Sequence, residues 1–201
     1  MYGIDLFDNA PSVVASLHAH YWHKLNRVVI CYMSAGTWEN WRPDASAFPK
    51  SVLGKPVSGW AGERWLDIRQ IGILGPIMDA RLDLCKQKGF DGVEADNVDG
   101  YANPTGFPLT PSDQITYNMF LAAQAHIRGL SIGLKNDLDQ VNDLLPYFDW
   151  ALDEQCFQYK RDLLAIFFSN KQGECIGNAQ RSSSRSYARS SEDCLCVLSL
   201  T

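Results

Sequence analysis

From residue 4 to residue 159, short apolar runs alternate with stretches of helical period, and that alternation restricts the chain to an α/β architecture built on parallel strands. The clearest run is Val28–Met33, VVICYM, continuous and rich in β-branched residues, as expected of a strand buried on both faces. Shorter runs at Ile4–Phe7, Trp65–Ile68, Gly92–Ala95, Leu130–Leu134 and Trp150–Leu152 read as further strands. Between them, helical periods cover 11–24, 73–88, 111–128 and 138–145, with another at 160–168. Ile73, Leu74, Ile77, Leu84 and Cys85 form the expected apolar face of the second helix, which Gly89 ends. Ser112 is the expected N-cap of the third, and Gly129 follows its end. The segment Ser34–Glu63, rich in Trp, Gly and Pro, reads as a long loop.

This pattern contains about six β–α units. An eight-fold barrel takes about 250 residues, whereas an open doubly wound sheet of six strands fits a 201-residue chain more closely. Spacing alone leaves both architectures open. The alternation stops near Lys171, and residues 181–186 are all Ser or Arg. The chain therefore divides into an α/β domain over 1–170 and a tail over 171–201, read as disordered or non-native sequence.

The net charge of −5, with no basic run before the tail, argues against a nucleic-acid partner. No apolar stretch is long enough to span a membrane, and MYGIDLFDNAP has no features of a secretory signal. The six cysteines form no paired CxxC motifs; Cys31, Cys85 and Cys156 read as small buried hydrophobes, and their pairing stays open. His18, His20, His23 and His126 fall on helices, and HAHYWH lacks the HExxH spacing of a zinc site. EADNVDGY has acids in the wrong register for a calcium loop. Neither a GxSxG nucleophile motif nor a Gly-rich phosphate loop is present, and no metal or cofactor is expected.

Polar residues gather just after the strands: Asp5 and Asp8; Ser34, Thr37, Trp38 and Glu39; Asp67 and Arg69; Glu94, Asp96, Asn97 and Asp99; Lys135, Asn136 and Asp137; Asp153, Glu154 and Gln155. Parallel α/β folds carry their sites at the carboxyl ends of the strands. Asp137 and Asp139 are expected to be helix N-caps. Asp5, Asp67 and Asp96 adjoin apolar runs, where an unpaired carboxylate is costly, so Arg69 or Lys135 should neutralise one of them or a polar cleft should receive it. Carboxylates supported by Asn, Lys, Tyr and Trp are the set needed for glycoside hydrolysis.

YGIDLFD, VVICYMSAGTWENWRPDA, FPKSVLGKPVSGWAGERWLDIR, KGFDGVEADNVDGY, GLKNDLDQV and WALDEQCFQY together resemble glycoside hydrolase family 114 from about residue 2 to residue 168. The resemblance implies a (β/α)8 TIM barrel, here incomplete, and endo-cleavage of α-1,4-linked galactosamine polymers. It also implies Asp96 as nucleophile and Glu154 as general acid/base of a retaining reaction. Asn97, Lys135, Asn136, Gln155 and Tyr159 match motif positions expected to line the cleft, with Asp5, Tyr32, Trp38, Asp67 and Arg69 as weaker correspondences. Family habit implies an extracellular protein with a polysaccharide as its partner. The chain departs from the pattern at Ala95, where the family usually has Pro, before Tyr2, where an opening strand is expected, and after Lys171, where the closing strands are expected. Those departures give the alternative of a non-catalytic glycan-binding protein or inactive fragment. A barrel enzyme of other chemistry, such as a lyase, is disfavoured by the missing phosphate motif and catalytic histidine.

Overall fold

A computed structural model of the chain describes residues 1–19, 27–154 and 195–199. Five parallel strands form the main sheet: β1 (Tyr2–Asp5), β2 (Val29–Ser34), β6 (Gly92–Asp96), β7 (Ser131–Lys135) and β8 (Trp150–Glu154). A sixth strand, β9 (Leu195–Ser199), pairs antiparallel with β8, giving the order β1-β2-β6-β7-β8-β9. The crossovers carry α1 (Pro11–His18), α2 (Ile71–Lys88) and α3 (Pro111–Ile127), with the short α4 (Val141–Leu144) between β7 and β8. The architecture is an incomplete (β/α) barrel. The expected helix at 160–168 lies outside the described residues.

Five of the six anticipated strands enter this sheet. The sixth, at Trp65–Ile68, is instead Glu63–Leu66 and belongs to a separate antiparallel sheet. That sheet consists of β3 (Thr37–Glu39), β4 (Leu53–Pro56) and β5 (Glu63–Leu66) in the order β3-β5-β4, and it is inserted between β2 and α2. The segment read as a loop therefore contributes β3, β4 and the first residue of β5 to a small sheet. Its strands are only three or four residues long, too short to show a periodic signal.

Strand alternation sorts the side chains of the main sheet onto two faces. Val29, Cys31 and Met33 of β2, Val93 and Ala95 of β6, and Ile132 and Leu134 of β7 pack in one core with Leu74, Met78 and Leu82 of α2 and Tyr117 and Leu121 of α3. The other face carries a smaller apolar group, Ile30, Trp150 and Leu152. On α2 the buried stripe runs Leu74, Met78, Leu82 and Cys85, while Ile73 is exposed, so the core face is rotated from the one expected. Cys31 and Cys85 form a disulfide that ties β2 to α2 across a separation of 54 residues.

The α3 N-cap is Thr110, not Ser112. Thr110 accepts from the Asp113 N–H and Asp113 answers in a capping box, with Pro111 at the first helical position, where its missing N–H costs nothing. Arg81 of α2, although 2% exposed, grips Asp44 through two nitrogens at 2.7 and 2.9 Å and donates to the Ser34 carbonyl at 2.6 Å. This fork anchors the inserted sheet to the end of β2. His18 and His126 lie on α1 and α3 against Asp91 and Asp149, each of which immediately precedes a strand, at the end of the sheet away from the carboxyl termini of the strands.

Gly133 shows how tightly the inner face is filled. It lies opposite Trp150 in the ladder, and a Cβ there would sit 2.2 Å from the indole ring. Gly36 is equally constrained, since its Cβ would meet the Asn97 carbonyl oxygen at 1.7 Å. Gly133→Ala is expected to destabilise the chain by ~1–3 kcal/mol through overpacking. Urea unfolding measures this, and an unchanged midpoint would mean that Trp150 does not stack over Gly133.

Candidate active site

At the carboxyl ends of the parallel strands the inner face becomes charged. Alternation that sends Val93 and Ala95 to the helices points Glu94 and Asp96 the other way, and the same rule places Tyr32 on β2, Lys135 on β7 and Glu154 on β8 beside them. These side chains line a cleft of about 490 Å³ together with Asn97, Asp99, Asn103 and Asn136 and with Glu39, Trp41, Trp60, Glu63 and Trp65 from the inserted sheet and its connections.

Lys135 is the hub. It is 4% exposed, and its Nζ donates to Glu94 Oε1 at 2.7 Å, contacts Glu154 Oε1 at 3.0 Å and lies 3.8 Å from Asp96 Oδ1. Burial alone would lower the ammonium pKa, but Asp96, Glu94 and Glu154 outweigh it and push the pKa up. Burial raises the Glu94 pKa, with Lys135 opposing and Asp96 and Glu154 adding to the rise. The Tyr32 hydroxyl donates to Asp96 Oδ2 at 2.8 Å, and burial followed by the Asp96 charge holds that phenol well above its usual range. One Asp96 oxygen is thus fixed by Tyr32, while the other faces Lys135.

Two asparagines in left-handed backbone conformation shape the rim. Asn97, at φ 61°, follows Asp96 directly and donates to Ser34 Oγ, Thr37 Oγ1 and Glu63 Oε1 at 3.0, 3.2 and 3.4 Å. Asn136, at φ 53°, follows Lys135 and accepts the Glu154 N–H at 3.0 Å. Asn tolerates this region better than most residues, and such strain concentrates at functional sites.

The inserted sheet supplies Glu39, one of the polar residues noted after β2, and Glu63, which the sequence reading passed over. Glu39 and Glu63 face each other in the β3–β5 ladder, a like-charge pairing that destabilises a sheet unless other groups offset it. Arg42 takes Glu39 at 2.7 Å, and Glu63 accepts from the Thr37 hydroxyl as well as from Asn97. Burial raises the Glu63 pKa, and Glu39 and Asp96 raise it further. Burial likewise raises that of Asp99. A cross-strand acid pair could have been found in the sequence only by recognising β3 and β5 as partners.

Of the residues singled out in the sequence, Asp96, Glu154, Tyr32, Asn97, Lys135 and Asn136 come together in this cleft. Gln155 and Tyr159 lie outside the described residues. Asp5, Trp38, Asp67 and Arg69 are engaged elsewhere. Asp5 caps the turn after β1 through the N–H groups of Phe7 and Asp8 and pairs with Arg42 at 2.7 Å. Asp67 is held bidentately by Arg69 at 2.7 and 2.9 Å. Trp38 shares a strand with Glu39 but points to the opposite face and donates to the Ala45 carbonyl at 3.0 Å.

Asp137 follows Asn136, also in left-handed conformation, at φ 45°. It stands at a helix start, as expected, but its carboxylate caps nothing and is buried instead, accepting from Asn118 at 3.0 Å. Burial, reinforced by Asp99 and Asp139, pushes its pKa up to about 8 against the hydrogen bonds from Tyr101 and Asn118.

The glycoside-hydrolase family GH114 model matches residues 1–192. Among solved structures, the chain is similar to Aspergillus fumigatus Ega3 in complex with galactosamine, at 46% identity and a TM-score of 0.78, over 84% of this chain and 65% of that one. It therefore spans about two thirds of the length of that relative. The glycoside hydrolase domain of PelA from Pseudomonas aeruginosa is similar in fold, at 14% identity and a TM-score of 0.56, over 76% of this chain and 58% of that one. No curated protein matches.

Two outcomes follow from these charges. Lys135→Met strands buried carboxylates and should cost ~3–5 kcal/mol, with Lys135→Met/Glu94→Gln recovering part of the loss in urea unfolding; a neutral Lys135→Met would show that the cluster is well solvated. Asp137 binds its proton more tightly folded than unfolded, so its contribution is full below about pH 4 and is lost as pH rises toward about 8. Asp137→Asn should flatten the pH dependence of stability over that window and be the more stable form at pH 8, as thermal unfolding across pH would reveal. Parallel curves for the two proteins would rule this out.

Proposed function

The chain belongs to glycoside-hydrolase family GH114, and from that membership we propose that it hydrolyses α-1,4-linked, galactosamine-containing polysaccharide with Asp96 as nucleophile and Glu154 as general acid/base. The observation that carries the reading is the convergence of both carboxylates on Lys135 in a cleft that also holds Glu39, Glu63, Glu94 and Asp99. Lys135 is the cation lining it among the described residues. Such a cleft favours a cationic ligand, and a free amino sugar carries an ammonium at neutral pH. Ega3, the relative at 46% identity, was solved with galactosamine.

Retention of configuration is the outcome expected of two acids set on β6 and β8 with only β7 between them, their Oδ1 and Oε1 atoms 3.8 and 3.0 Å from the same Lys135 nitrogen. Retaining enzymes hold their carboxyl groups ~5–5.5 Å apart and inverting ones ~6.5–9.5 Å. Glu154 gives its proton to the glycosidic oxygen as the C1–O bond breaks, and the Asp96 oxygen not held by Tyr32 closes on C1. In the second half-reaction Glu154 takes a proton from water as that water displaces Asp96. Lys135 keeps Glu94 and Asp96 as partners while Glu154 carries its proton.

The Cys31–Cys85 disulfide supports an extracellular location, because such bonds persist in oxidising compartments. Among the described residues no helix is long and apolar enough to cross a membrane.

Reducing-end release from partly deacetylated α-1,4-galactosaminogalactan is the direct test. Asp96→Asn and Glu154→Gln should each lower kcat by at least ~100-fold with binding retained. Nuclear magnetic resonance of the first product should show the α-anomer; the β-anomer would replace retention with inversion. Binding without turnover by the unsubstituted chain would favour a glycan-binding protein instead.

A further inference from the structure

The inserted sheet carries two tryptophans that the chemistry above does not use. Trp41 is 49% exposed and Trp60 is 64% exposed, whereas Trp65 and Trp150 are buried. Neither Trp41 nor Trp60 belongs to the hydrophobic core formed by the described residues, yet both line the carboxylate cleft. A single exposed hydrophobic residue needs no explanation. Two indoles opening into one acidic cleft are a different matter, because each leaves a large apolar face in water where a ligand can cover it.

The sheet holds them together. The ladder pairs Thr37 with Trp65, Trp38 with Arg64 and Glu39 with Glu63, and the Asn40 N–H continues it to the Gly62 carbonyl at 3.0 Å. Trp41 leaves β3 at the same end at which the turn bearing Trp60 enters β5. That turn is tight: the Trp60 N–H bonds to the Val57 carbonyl and the Glu63 N–H to the Trp60 carbonyl, while Gly59 and Gly62 take φ of +84° and +90°, which other residues adopt with difficulty. Arg81 and Asp44 fasten the whole insert to α2. The indoles are therefore presented on a fixed support rather than on a free loop.

We propose that Trp41 and Trp60 form an aromatic subsite for a sugar ring of the polymer beyond the two whose linkage is cut, so that the insert makes affinity depend on chain length. The proposal rests on the glycosidase reading above. A pyranose offers an apolar face of C–H groups to an indole, and an ammonium on that ring gains a further attraction to the ring quadrupole, for which Trp is the best partner. Glu39 and Glu63 beneath the same sheet add negative potential on this wall of the cleft.

The test separates binding from turnover. Galactosamine α-1,4-oligosaccharides of two and of six residues are titrated by calorimetry against the full chain carrying Asp96→Asn, alone and combined with Trp60→Ala, Trp41→Ala or Trp60→Phe. The hexamer should bind ~3–10-fold more weakly after either alanine substitution, the dimer should be unaffected, and Trp60→Phe should keep most of the hexamer affinity. Circular dichroism checks that each variant folds, as expected for exposed side chains, and the Phe variant tests the aromatic contact even if an alanine variant does not. Equal loss for both lengths, no loss for either, or a Phe variant as weak as the Ala variant would each overturn the subsite and leave the proposed activity standing. If the Asp96→Asn chain binds neither oligosaccharide, the activity reading falls and the subsite falls with it.

Discussion

The buried ammonium of Lys135 is the interaction on which the rest of the site depends. Glu94 and Asp96 leave the same face of one strand, two residues apart, and Glu154 arrives beside them from β8. Three carboxylates converging at one end of the sheet would repel one another. A single cation within 4 Å of all three changes that balance. Its cost in desolvation is high, and it is sustained because every partner is a carboxylate at short range. Lys135 thus permits a density of negative charge that a scaffold has no use for.

The backbone around this cluster is built to leave room. Gly133 yields its Cβ space to Trp150, which fills the inner face below the charged layer, and Gly36 lets the chain leaving β2 pass against the Asn97 carbonyl. Asn97 and Asn136 turn the chain sharply just after the two strands that deliver Asp96 and Lys135, and their side chains then bind Glu63 and the Glu154 backbone. The strained residues are therefore also the ones that join the barrel strands to the rim. The inserted sheet closes the other side of the cleft, fixed by the Arg81–Asp44 fork and by Arg42 between Asp5 and Glu39. The disulfide, the Arg81–Asp44 fork and the Arg42–Asp5 pair each fasten elements distant in sequence.

The sequence by itself determined the strands of the parallel sheet and the long helices between them. VVICYM became a buried strand, the helical periods at 73–88 and 111–128 each produced a helix, and Asp96, Lys135 and Glu154 came to one cleft because α/β folds put strand ends there, while Asp5 and Asp67 were taken up by arginines elsewhere. These are local signals, carried within ten or twenty residues. Tertiary structure decided what depends on partners far along the chain. Whether Glu63–Leu66 joined the parallel sheet or a hairpin was settled by pairing with β3 and β4, and pairing set the facing acids Glu39 and Glu63. The join of Cys31 to Cys85 followed from packing α2 on β2. Trp38 turned away from the cleft and Glu39 toward it because a period of two lets one register choice flip every side chain. Composition can show that a chain has carboxylates to spare; only the fold shows which of them share one ammonium, since that is a matter of ångströms between strands and not of order along the chain.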